Sequence, residues 1–171
     1  MIDTIAILDF GSQYTQLIAR RIREANVFAA MFPWDVPEAK VMRVQPKGFV
    51  LSGGPGSVYD PNAASIPNYV FESGLPILGI CYGLQALTHA LGGKVARAVN
   101  REYGAADLTL VTPSLLLRAD DDPQVWMSHS DRIDRLPQGF SVLAKTSNSP
   151  IAAMGDENRA YYGLQFHPEV N

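Results

Sequence analysis

Pro76-Ile77-Leu78-Gly79-Ile80-Cys81-Tyr82-Gly83-Leu84-Gln85 is an apolar run that passes straight into Gly-x-Cys-x-Gly and then into a helical pattern. A buried strand that turns sharply into a helix is the geometry of a nucleophile elbow. The corner residue takes strained backbone angles there, and glycines two positions to either side remove Cβ atoms that would clash. The spacing puts Cys81 at the corner. Thiols ordinarily titrate at about 8.5, and both the first turn of a helix and a neighbouring imidazolium favour the thiolate. Without its glycines a lone cysteine would read as a small buried hydrophobe; with them, Cys81 reads as a nucleophile.

Outward from the elbow, Ile5–Leu8 and Phe49–Leu51 are further apolar runs bounded by turn residues, and they read with Pro76–Ile80 as buried parallel strands. Between the first two, Ser12–Ala25 carries Leu17, Ile18, Ile22 and Ala25 at helical spacing and Arg20, Arg21, Arg23 and Glu24 elsewhere, the pattern of an amphipathic crossover helix. Val27–Phe32 reads as a strand, Pro37–Arg43 and Ile66–Glu72 as short helices, and Leu84–Leu91 as a helix stopped by Gly92-Gly93. The second half breaks into short strand-like segments: Lys94–Val99, Ala106–Val111, Val125–Ser128, Val142–Lys145, Ile151–Met154 and Tyr161–Phe166. We therefore expect an α/β fold with a mostly parallel central sheet flanked by helices, and an antiparallel or mixed sheet in the C-terminal half. Residues 1–171 suit a single domain.

Composition narrows the function classes. With 47% hydrophobic and 18% charged residues the chain can build an ordinary core. A net charge of −3 and no Lys/Arg stripe speak against nucleic acid as a partner. One cysteine allows no internal disulfide, and neither a signal peptide nor an apolar run of membrane length is visible. The expected setting is therefore the cytoplasm, without a membrane partner. No metal-ligand pattern is read.

Three histidines compete for the role of base. His89 lies about two helical turns beyond Cys81 and is expected to be structural or exposed. His129 ends the Val125–Ser128 strand, a possible pocket position, with no acidic residue placed beside it by strand geometry. His167 has one: in His167-Pro168-Glu169, residues two apart on an extended chain share a face, so Glu169 is expected to orient the imidazole and fix its tautomer. For the oxyanion of a tetrahedral intermediate, Ser52-Gly53-Gly54-Pro55-Gly56-Ser57 follows a parallel strand where open α/β sheets place ligands. The expected donors are the N–H of Gly54, with Gly53 as the alternative, and the N–H of Tyr82.

Gly79-x-Cys81-x-Gly83-x-Gln85, Ser52-Gly53-Gly54-Pro55 and His167-Pro168-Glu169, in this order, resemble the class I glutamine amidotransferases over nearly the whole chain. The resemblance implies a flavodoxin-like fold and a Cys-His-Glu triad that hydrolyses the side-chain amide of L-glutamine to glutamate and ammonia. Within that class, Asp9–Arg21, Cys81–Gln85, Arg101-Glu102-Tyr103-Gly104 and Trp126-Met127-Ser128-His129 look like the amidotransferase part of GMP synthetases. This implies that Gly53, Gln85 and the backbone around Ser130-Asp131 hold the substrate, and that ammonia passes to an ATP-pyrophosphatase domain or subunit. Such a partner would use ATP and Mg2+ to turn xanthosine monophosphate into GMP; no cofactor is expected in the present chain. Three departures stand out. The family pattern often continues past the triad glutamate with Thr-His-Thr and a final helix, whereas here Val170-Asn171 ends the sequence, so Glu169 is expected to be prone to fraying. Ser130 stands where glycine is expected, and Leu117–Val125 is shorter than usual. Other readings are an amidotransferase serving anthranilate or aminodeoxychorismate formation, a catalytically silent module of the same fold, and a cysteine hydrolase of esters or peptides.

Overall fold

In the computed structural model, which describes residues 1–170, the elements alternate as the hydrophobic pattern predicts. They are β1 (Thr4–Asp9), α1 (Thr15–Glu24), β2 (Phe28–Pro33), α2 (Glu38–Met42), β3 (Gly48–Leu51), α3 (Asn68–Glu72), β4 (Ile77–Ile80) and α4 (Tyr82–Ala90). There follow β5 (Lys94–Asp107), β6 (Thr109–Leu110), β7 (Gln124–Arg135), β8 (Ser141–Lys145), β9 (Ala153–Asp156) and β10 (Tyr161–Leu164). Eight strands form one sheet in the order β2-β1-β3-β4-β10-β9-β8-β6, while β5 and β7 pair as a separate antiparallel ribbon.

The first five strands of that sheet are mutually parallel, so the carboxyl ends of β1, β3, β4 and β10 lie on one edge. The chain reverses its winding there: β2 lies to one side of β1 and β3 to the other, and such a switch point opens a crevice above the strand ends. Short cross-links tie these ends together. Ser52 N–H donates to Leu8 O at 3.1 Å and Cys81 N–H to Leu164 O at 2.7 Å.

Burial follows the same logic. Leu8, Phe49, Leu51, Ile77, Leu84 and Leu87 are almost wholly enclosed in the main cluster, each contributing about 1.5–3 kcal/mol of transfer free energy. On the other face Ile18 and Ala19 of α1 cover Ile7, Val50 and Ile80. Helix α4 packs against both the sheet and the ribbon, which is why Tyr82–Thr88 are buried all round rather than along one stripe.

The second half differs from the expectation in two respects. Lys94–Val99 is only the start of a long β5, which runs on through Gly104, whose φ of +91° bends the strand without ending it; the expected Ala106–Val111 strand is divided, Ala106-Asp107 closing β5 and Thr109–Leu110 forming β6 in the large sheet. And β10 returns parallel to β4, with β9, β8 and β6 continuing the same sheet antiparallel. Helix α1 starts at Thr15, after Ser12 Oγ has turned the backbone by accepting from Tyr14 N–H at 3.0 Å.

Candidate active site

Cys81 holds φ +53° and ψ −107° at the junction of β4 and α4, a conformation that a residue with a side chain rarely adopts. Both glycines of the elbow are sterically obligatory. A Cβ on Gly79 would lie 2.6 Å from the carbonyl of Gly83, and one on Gly83 would collide with Leu51 O and stand 2.8 Å from Leu51 C. The strain aims the sulfur at the crevice, where the thiol donates to Ser128 O at 3.4 Å.

His167 and Glu169 come together, though not by the geometry expected. β10 ends at Leu164, and His167-Pro168-Glu169-Val170 is a turn closed by Val170 N–H donating to His167 O at 3.2 Å. Pro168 sits at the second turn position, where its fixed φ is favoured. The turn, not a shared strand face, brings His167 Nδ1 to 2.8 Å from Glu169 Oε1. Both side chains are buried, and Arg21 Nε donates to Glu169 O at 3.2 Å, so the orienter is anchored rather than frayed. Asn171 lies outside the described residues. Burial pulls the imidazole's pKa down, but hydrogen bonds and charge from Cys81 and Glu169 outweigh it and push His167 up to about 9. The ring thus stands against the thiol in a state suited to stabilising a thiolate. A second edge is closed by Tyr14, whose ring meets His167 edge-on at 5.2 Å.

The Ser52–Gly56 loop is pinned over the same edge. Ser52 Oγ accepts from Phe10 N–H at 2.9 Å and is buried. A Cβ on Gly54 would meet Phe10 O at 2.5 Å, and one on Gly53 would press His167 Cε1 at 3.2 Å and Cys81 Cβ at 3.6 Å. Only glycine lets the loop approach this closely. Gly54, Cys81, Gln85, Ser130 and Asp131 line one cleft of about 240 Å³, together with Pro55 and Gly56 of the loop and Tyr103, Ser128 and His129 of the ribbon. Tyr82 N–H opens α4 without an intrahelical acceptor, and its hydroxyl donates to Ala64 O at 2.6 Å, fastening the helix start to the loop. A larger hollow of about 730 Å³ lies beyond Trp126, Phe166 and His167, but Cys81 does not line it. Among the described residues no group of three or more His, Cys, Asp or Glu is placed to hold a metal ion.

Sequence reasoning missed two buried residues here. Gln165 Nε2 lies 3.8 Å from Cys81 Sγ; its position two before His167 was the available signal. Glu102 faces His129, 3.2 Å from Oε2 to Nε2, which corrects the reading of His129 as lacking an aligned carboxylate: the acid comes from the opposite strand, with Glu102 and His129 paired in register. His89, as expected, is exposed and packs edge-on against Tyr59.

A parallel sheet with a positive-φ cysteine at the end of one strand, met by a His-Glu pair at the end of the next, defines a cysteine-centred α/β enzyme site. The model of the class-I glutamine amidotransferase family matches residues 6–171, and the chain belongs to that family. It is 51% identical over 175 residues to the glutamine-hydrolyzing GMP synthase of Idiomarina loihiensis, covering 97% of this chain and 33% of that protein. Against the GMP synthase of Dehalococcoides mccartyi strain CBDB1 the identity is 54% over 170 residues, with 98% of this chain and 32% of the relative covered. The chain thus spans about a third of the length of these relatives. A Thermoplasma acidophilum protein described as a candidate GMP synthase subunit superposes with a TM-score of 0.82 at 26% identity, covering 100% of this chain and 86% of that one. A Thermotoga maritima glutamine amidotransferase shares the fold with a TM-score of 0.77 at 24% identity, covering 99% and 77%.

Proposed function

We propose that this chain hydrolyses the side-chain amide of L-glutamine and delivers ammonia to an ATP-pyrophosphatase domain or subunit that aminates xanthosine monophosphate to GMP. The observation that carries the first half is the strained Cys81 beside an imidazole whose far nitrogen is 2.8 Å from Glu169. The second half rests on relatives of about 50% identity that bear the name GMP synthase and continue well beyond the matched third.

The Cys81 thiolate attacks the amide carbonyl carbon, and the N–H groups of Gly54 and Tyr82 donate hydrogen bonds to the oxyanion. One such donor is typically worth about 2.7–4 kcal/mol in the transition state. The His167 imidazolium, its Nδ1–H held by Glu169, passes a proton to the departing nitrogen; ammonia leaves and a thioester remains. His167, now neutral, takes a proton from water as the water adds to the thioester carbonyl. Collapse releases glutamate and restores the thiolate-imidazolium pair. Gly53 packs between base and nucleophile. Gln85 and the Ser130-Asp131 backbone, which line the cleft, hold the substrate's amino-acid end, a pairing of polar groups that rejects molecules lacking them. No cofactor is needed for these steps; ATP and Mg2+ belong to the partner's chemistry.

The test measures glutamate release with and without a candidate synthetase partner and follows ammonia into xanthosine monophosphate. Stimulation by a chorismate-using partner instead, with no GMP formed, overturns the GMP assignment while leaving the glutaminase.

A further inference from the structure

Beyond the triad, the buried acid Glu102, unlike Asp156, lies beside the cleft and has no part in the steps above. Glu102 is 6% exposed, and every bond it makes holds something in place. Its Oε1 accepts from Thr146 Oγ1 at 2.8 Å, and its Oε2 from Ser149 Oγ at 2.7 Å. The same Oε2 stands 3.2 Å from His129 Nε2. On the ring's other side Nδ1 is 2.8 Å from Asp131 O. A carbonyl only accepts, so Nδ1 is the donor. Asp131 O also accepts from Gln85 Nε2 at 3.2 Å. Both lone pairs of that carbonyl are therefore used within the protein, and it serves as an anchor rather than as a ligand.

We infer that Glu102 is a positioning residue for the substrate's amino-acid end, acting through His129 and the Asp131 carbonyl on Ser130, Asp131 and Gln85. The inference rests on the glutaminase reading. Its geometric reason is that the cleft wall from Ser128 to Asp131 belongs to the two-stranded ribbon, whereas Cys81 directly follows β4 of the large sheet. A two-stranded ribbon is weakly self-supporting, and β5 is irregular between Arg97 and Glu102, just where it passes this wall. Glu102 fastens that point of the ribbon to the segment between β8 and β9, through Thr146 and Ser149, and so sets where the wall stands relative to the thiol. A residue that places the wall alters how glutamine binds more than it alters the sulfur, whose position is set by the β4-to-α4 elbow even though the thiol touches Ser128 O.

The experiment compares two electrophiles on the full chain, read by intact mass: 6-diazo-5-oxo-norleucine, which carries glutamine's amino-acid end, and iodoacetamide, which does not. Glu102→Gln keeps shape and removes the charge. The expected result is at least a tenfold slower reaction with the glutamine analogue, a rate with iodoacetamide within twofold of wild type, and in turnover a raised KM with kcat changed less than threefold. Ser149→Ala, a smaller change that removes a single donor to the carboxylate, is expected to show the same selectivity at a lower magnitude. Equal slowing with both reagents overturns the inference and makes Glu102 merely structural; so does unchanged reaction with the analogue. If Glu102→Gln does not fold, the result for Ser149→Ala decides by the same criteria. Wild-type protein that reacts with iodoacetamide but never with the analogue sinks the glutaminase reading itself, a different outcome from wild type and variants reacting alike.

Discussion

At the residue scale, the proposed mechanism leans most on His167, whose protonation can be followed. Hydrogen bonds to Cys81 and Glu169 hold its pKa at about 9 against burial, well above the ordinary 6.5. A raised folded-state pKa contributes stability that is fully present below 6.5 and is lost as pH rises through about 9. Thermal melts between pH 6 and 10 should therefore show Tm falling across the alkaline half, and Cys81→Ala should flatten that slope by removing one of the groups that raise the pKa. The same variant should abolish glutamine-dependent turnover yet leave a synthetase partner able to use free ammonium, because the proposed function puts the thioester and the ammonia-consuming step in different sites; loss of both activities contradicts that separation. Glu169→Gln should be milder. An amide oxygen can still accept from Nδ1–H at the 2.8 Å position, preserving the tautomer while losing the charge. A loss of about 10²-fold in kcat is expected, within the range of a general acid-base contribution. Its alkaline activity limb should move from about 9 toward 6.5, read from a pH-rate profile.

At the element scale, the β4-to-α4 turn depends on the absence of two side chains. Gly83→Ala drives a Cβ into Leu51 O, a backbone atom of a central strand that cannot swing aside. A destabilisation of about 1–3 kcal/mol is expected from such overpacking, seen as a drop of several degrees in Tm, together with slower alkylation of Cys81 as the elbow opens. An unchanged Tm would mean that β3 yields freely. This turn was legible in the sequence because its requirements are local: a strand, two glycines at fixed offsets and a helix lie within ten residues of one another. The Ser52–Pro55 loop and the His167-Glu169 pair were legible for the same reason, although the pair forms by a turn rather than along a strand. Glu102 was not. Its partnership with His129 depends on the pairing of two long strands through an irregularity between Arg97 and Glu102, and register across such a break cannot be counted off from the sequence. Gln165 and Tyr14 were missed likewise, since each reaches the site from a different strand end and only the sheet order brings those ends together.

For the whole molecule, the relevant feature is an active cleft between two units of unequal stiffness. The strands β1, β3 and β4 sit inside an eight-stranded sheet with both faces covered, whereas the ribbon exposes Val99, Tyr103 and Trp126. Local opening follows buried contact density, so hydrogen exchange should be slowest in β1, β3 and β4 and faster by orders of magnitude around Val99–Arg101. In the proposed function glutamine spans the gap, with its amide end over Cys81 and its other end on the wall that carries Ser130 and Asp131. Covalent capture by the glutamine-like electrophile should therefore transfer the sheet's rigidity to the ribbon. The expected signature is slower exchange at Ser128–Asp131 and Gly53–Gly54 after labelling, with β2, which does not line the cleft, unchanged. Protection confined to the elbow, with the ribbon still exchanging as before, would show that the substrate's amino-acid end never engages that wall.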